Sequence, residues 1–104
     1  MKIQFNTGNK IEGSERLSDY FSTLIKEDLN RFDDQITRIE VHLSDQNSTK
    51  NGQNDKKCML ETRLKNLNPI AVTNHGNSHE EAIKGAVDKL KTSLDTITGR
   101  LSNH

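Results

Sequence analysis

The sequence predicts an α+β fold of order β-α-β-β-β-α, a four-stranded sheet with two helices packed on one face. Three observations carry this. Four short segments alternate apolar and polar residues with a period of two. Two longer ones repeat apolar residues at helical spacing. With 30% hydrophobic and 29% charged residues, the chain can fill one buried face per element and leave the other wet. Its 104 residues fit a single domain, 1–104, with one modest core.

The first strand is Ile3 and Phe5 alternating with Lys2, Gln4 and Asn6, stopped by the turn-prone Thr7-Gly8-Asn9. From about Ser14 to Phe32 the residues Leu17, Tyr20, Phe21, Leu24, Ile25, Leu29 and Phe32 fall on one half of a helix. The second strand sets Ile39, Val41 and Leu43 against Arg38, Glu40 and His42. A right-handed crossover through the first helix makes strands one and two parallel. Residues 44–55 hold no apolar side chain and include Asn51-Gly52, which predicts a mobile hairpin loop. In the third strand Cys58, Leu60, Thr62 and Leu64 face inward, between Met59, Glu61, Arg63 and Lys65. The fourth, Ile70–Thr73, follows an Asn66-Leu67-Asn68-Pro69 turn, and Pro69 suits a strand start. Ser78 and Glu81 form a capping-box pattern ahead of Ala82, Ile83, Ala86, Val87, Leu90, Leu94, Ile97 and Leu101, which share an arc of roughly 140° of a long second helix.

Fifteen basic and fifteen acidic residues give zero formal charge, so binding to nucleic acid or an anionic surface has to come from a local patch. The single cysteine, Cys58, excludes an intramolecular disulfide framework, and no signal-type or membrane-length apolar run is present. A cytoplasmic protein without membrane contact is expected.

Catalytic apparatus is hard to find. Of the histidines at 42, 75, 79 and 104, His75 and His79 alone are close in sequence, and they straddle a glycine and a helix cap, so no metal site is expected. Cys58 faces inward with no His or Asp at motif spacing, which fits a small buried hydrophobe better than a nucleophile. Asp33-Asp34 and Glu80-Glu81 sit where helices end or begin, as turn-formers and favourable helix-end charges. The glycines are isolated, so no phosphate-cradling loop exists and no cofactor or small-molecule substrate is implied. The wet sheet face mixes Lys2, Arg38, Arg63 and Lys65 with Glu40 and Glu61 and lacks the aromatic residues that would stack bases. On the second helix Lys84 and Lys91 share one stripe beside Asp88 and Asp95, while Lys89 and Arg100 share the opposite shoulder. Such a helix is either a solubilising surface with internal ion pairs or a set of phosphate contacts.

The element order, the opening Met1-Lys2-Ile3-Gln4-Phe5-Asn6-Thr7-Gly8-Asn9-Lys10-Ile11-Glu12 and above all Glu81-Ala82-Ile83-Lys84-Gly85-Ala86-Val87-Asp88-Lys89-Leu90 resemble the ribosome hibernation promoting factors and ribosome-associated inhibitors, over nearly the whole chain. The resemblance implies a domain that plugs the messenger and transfer RNA channel of the small ribosomal subunit and silences idle ribosomes. Lys89 matches a basic family position, with Lys84 and Lys91 beside it. Where family members tend to be basic, this chain has Ser18, Leu24, Glu27, Thr92 and Thr96, with Lys26 and Arg31 as partial replacements. With no dimerising segment after the second helix, the chain resembles a short or divergent form.

The leading expectation is therefore a non-enzymatic translation modulator that contacts 16S-type ribosomal RNA through Lys84, Lys89, Lys91, Arg100, Lys26 and Arg31. The alternative is a protein-interaction module that keeps the fold without the RNA surface. A double-stranded RNA-binding domain fits less well, since its second helix starts basic and this one starts His79-Glu80-Glu81.

Overall fold

The computed structural model describes residues 1–7, 14–45 and 56–102, with side chains for all of these except Thr7, Ser14, Glu15 and 100–102. The elements are β1 (Lys2–Thr7), α1 (Ser14–Asp28), β2 (Ile36–Asp45), β3 (Lys56–Leu64), β4 (Ile70–Gly76) and α2 (His79–Ser102), with a 3₁₀ turn at Asn30–Phe32. The predicted order is thus the observed one.

The strands form one sheet in the order β1-β2-β3-β4. β1 is parallel to β2, as a helical crossover between neighbours requires, and the other pairs are antiparallel. Alternation decides which side is covered. Ile39, Val41, Leu43, Cys58, Leu60 and Leu64 are buried against Phe21 and Ile25 of α1 and Ala82, Ile83, Ala86, Val87, Leu90 and Leu94 of α2. α2 lies over β3 and β4. Tyr20 at the middle of α1 meets Glu80 in the first turn of α2, and Arg31 beyond the end of α1 meets Asp95 far along α2, so the helices run side by side in the same direction.

Several predicted boundaries move: β2 and β3 start two residues early, at Ile36 and Lys56, and β4 runs on past Thr73 to Gly76. The first helix ends at Asp28, four residues short of Phe32. The chain tightens there into i→i+3 bonding, with Phe32 N donating to Leu29 O at 2.9 Å, and this still buries Leu29 and Phe32, so the apolar spacing alone could not place the stop. Ser44 and Asp45, assigned to the loop, extend β2 and pair with Lys57 and Lys56. An ion pair of 3.1 Å between Asp45 and Lys56 holds that rung, an interaction that hydropathy does not register. The remainder of the predicted loop, 46–55, and the Gly8-Asn9 turn lie outside the described residues.

The cap of α2 forms as a variant of its pattern. Glu81 N donates to Ser78 Oγ at 3.1 Å, while the Glu81 carboxylate accepts from Asn77 N at 2.8 Å rather than from Ser78 N. Asn66 takes a left-handed φ of 59° in the β3–β4 turn, which asparagine tolerates.

Gly85 has a packing reason within α2. A Cβ there would overlap the Asn74 side chain of β4, whose amide donates to the carbonyls of Glu81 and Ala82 at 3.4 and 3.3 Å. Alanine at a helix interior normally stabilises by about 0.5–1 kcal/mol relative to glycine. Here Gly85→Ala will instead lower the melting temperature, because Asn74 has to swing out and surrender both bonds. In an Asn74→Ala background the same change will raise it, and calorimetry of the four proteins measures the coupling.

Thr62 is fully buried between Ile39 and Ile70 in the register, and its hydroxyl has no partner among the described residues. Thr62→Val keeps the shape and removes the orphan group, so it will stabilise the fold by about 1 kcal/mol, read as a rise in the denaturant midpoint.

Candidate nucleic-acid interface

At 100° per residue, Glu80, Lys84, Lys91 and Asp95 occupy roughly 60° of the circumference of α2. The Tyr20–Glu80 and Arg31–Asp95 contacts turn that arc toward α1. Lys84 and Lys91 therefore border the groove between the helices, and Arg31 closes one end of it. Here the structure brings three of the sequence-predicted cations together.

The others lie elsewhere. Lys89 points to the opposite shoulder, where its Nζ donates to the Thr73 carbonyl of the edge strand β4 at 2.7 Å. Lys26 is exposed six residues after Tyr20, roughly 120° round the helix on the side away from α2. Arg100 falls within α2, and its side chain lies outside the described residues.

Charge in the groove is partly neutralised from within. One terminal nitrogen of Arg31 lies 2.7 and 2.9 Å from the two carboxylate oxygens of Asp95, and its guanidinium stacks 4.5 Å from the Phe32 ring centre. Lys84 Nζ is 3.4 Å from Glu80 Oε2. Lys91, half-buried, makes no hydrogen bond or ion pair among the described residues. It offers an ammonium that no carboxylate among the described residues holds. Thr92 and Thr96 turn their hydroxyls back onto the carbonyls of Asp88 and Thr92, at 3.2 and 3.0 Å, and so act within the helix.

Sequence reasoning passed over Arg16. It is exposed one turn before Tyr20 on the same stripe of α1, beyond the N-terminal end of α2, with no partner among the described residues. Its spacing of four from Tyr20 was the available signal, readable only once Tyr20 was known to face α2.

Among the described residues, acid–base or nucleophilic chemistry has few groups to draw on. Cys58 is buried, and desolvation pushes its thiol up to about 12, far from a reactive thiolate. No group of three or more His, Cys, Asp or Glu side chains converges to hold a metal ion among the described residues. A cavity of about 270 Å³ between the β3–β4 turn and the later turns of α2 is bordered by Leu64, Leu67, Leu94 and Ile97, and among the described residues no carboxylate, histidine or cysteine lines it.

Residues 5–102 match the family described as Sigma 54 modulation protein / S30EA ribosomal protein. Among solved structures, the N-terminal domain of Protein Y from Thermus thermophilus is 21% identical with a TM-score of 0.71, the match covering 93% of this chain and 99% of that one. A ribosomal subunit interface protein from Coxiella burnetii is 19% identical with a TM-score of 0.68, covering 95% and 99%. No curated protein sequence matches significantly.

Proposed function

The chain belongs to the Sigma 54 modulation protein / S30EA ribosomal protein family, and from that premise we propose that it modulates translation by binding the ribosome, with no reaction to catalyse. The proposed seat is the small-subunit channel for messenger and transfer RNA. There the α1–α2 groove faces 16S-type ribosomal RNA and Lys84, Lys91, Arg31 and Arg16 contact its phosphates. Lys26, Lys89 and Arg100 make flanking contacts on either side. Binding there would hold an idle ribosome out of initiation.

The observation that carries this reading is Lys91, a partly covered lysine beside the groove without a protein partner among the described residues. Its stem lies along the groove while its head meets no acid among the described residues, so an RNA phosphate can take that ammonium without displacing an internal ion pair. Two groove cations already matched to acids predict modest affinity, because Asp95 and Glu80 compete with phosphate for Arg31 and Lys84. The proposal implies a cytoplasmic protein, and no helix among the described residues is long and apolar enough to cross a membrane.

Sucrose-gradient sedimentation with small subunits and with intact ribosomes, repeated over a salt series, tests the reading. Salt-sensitive co-migration with small subunits is expected. Absence of co-migration even at low salt would sink it. The same internal ion pairs favour a second reading, a protein-interaction module on this fold; its mark would be a partner captured in the presence of nuclease.

A further inference from the structure

The face of the sheet opposite the helices carries a cation arrangement that the groove does not explain. Lys2 of β1 is registered on Arg38 of β2, and Arg38 on Arg63 of β3, so three positive residues stand in one row across three strands. Like charges directly opposite one another in a sheet are destabilising, so folding by itself gives no reason for the row.

The backbone is bent to make it. Ile36 pairs with Leu64, yet Arg38 pairs with Arg63, which leaves one extra residue in β2 at a bulge. Ile36 and Ile39 are both buried, and the extra residue between them lets Thr37 and Arg38 both stay off the core. The Thr37 hydroxyl pins the bulge by donating to Arg63 O at 3.1 Å. Without it, strict alternation would aim Arg38 inward.

Arg38 is held in position. Its terminal nitrogen donates to Gln4 Oε1 at 2.8 Å and lies 3.4 Å from Glu40 Oε1, while its Nε is buried without a partner among the described residues. The other acid nearby, Glu61, lies 3.3 Å from His42 Nε2 without forming a hydrogen bond to it. Lys2 and Arg63 are exposed on either side of Arg38, and neither makes an ion pair among the described residues. With strands about 4.8 Å apart, the row presents two unmatched cations about 10 Å apart around a fixed guanidinium.

We propose that the Lys2–Arg38–Arg63 row is a second phosphate-binding site, for an RNA backbone segment distinct from the one that the helices face. The inference rests on the ribosomal reading and extends it: a domain with phosphate sites on both faces is clamped between two RNA segments. Among the described residues this face carries no Phe, Tyr or Trp, which favours backbone contacts over base stacking.

The test compares Lys2→Gln with Arg63→Gln, made together, against Lys84→Gln with Lys91→Gln. Each is measured on small subunits by sedimentation and on a short RNA hairpin by fluorescence anisotropy, across a salt series. Loss of two contacts lowers the slope of log K against log salt by about 1.4–1.8. The sheet variant is expected to show that drop with an unchanged or higher melting temperature, since like-charge repulsion is relieved. A slope equal to the parent's, while the helix variant loses binding, would overturn the sheet site and leave the ribosomal reading intact. If the parent ignores subunits, the ribosomal reading fails; hairpin binding weakened by the sheet variant would then still support the site, and no hairpin binding would overturn it. Preference for polyglutamate over the hairpin at this face would also overturn it, in favour of an acidic protein partner.

Discussion

Charge reversal of the groove, Lys84→Glu together with Lys91→Glu, will remove the protein from small-subunit fractions while leaving its melting temperature within a few degrees of the parent's. Each phosphate contact contributes about eightfold in affinity at 0.1 M salt, so losing two costs roughly 60-fold and placing two carboxylates against phosphate costs more. Stability is spared because the exposed Lys84–Glu80 pair and the unpaired Lys91 contribute little to folding. Lys89→Glu should act differently. That ammonium is already engaged by the Thr73 carbonyl, so its reversal will weaken binding less than either groove change and will loosen β4. Sedimentation of the groove double variant and of Lys89→Glu, with melting curves for both, decides the matter. Equal losses from Lys89→Glu and the groove variant would mean that RNA approaches the β4 edge rather than the groove.

Leu90→Ala will produce the reverse pattern, a large loss of stability with RNA contacts untouched in whatever folded protein remains. Leu90 is fully buried on the core face of α2, above β3 and β4. Truncating such a leucine removes its transfer free energy and leaves a cavity, together costing about 2–5 kcal/mol. Against a total of about 5–15 kcal/mol for a domain of this size, that is a large share. Urea titration should show the midpoint falling steeply at an unchanged slope. A loss below about 1 kcal/mol would mean that α2 is not packed down on the sheet along its middle turns.

The element order was legible because each element declares its own period. Ile39-Val41-Leu43 and Cys58-Leu60-Thr62-Leu64 face inward as alternation predicts, and Ser78 caps α2 as its spacing to Glu81 suggests. Element ends were less legible: Leu29 and Phe32 are buried equally well by a 3₁₀ turn as by a continued helix. For the site, the sequence named the cations without their neighbours. That Lys84 and Lys91 lie on one stripe of α2 and Lys89 on another follows from helical geometry alone. That Arg31 is bound by Asp95, and Lys89 by a strand carbonyl, depends on how α1, α2 and β4 are placed in space, and no local spacing records it. Arg16 went unnoticed for the same reason.

The parallel pairing of β1 with β2 also sets an order of assembly. β2, β3, β4 and α2 follow one another along the chain and join by antiparallel pairings and a short turn, so they can condense with little loop closure. β1 has to wait for the whole of α1 to cross over before it finds its place beside β2. β1 is therefore the last strand to be secured, and among the described residues its one strand neighbour is β2. Until it docks, the inner side of Ile39 and Val41 has no Ile3 or Phe5 beside it, and the row of cations that begins at Lys2 does not yet exist.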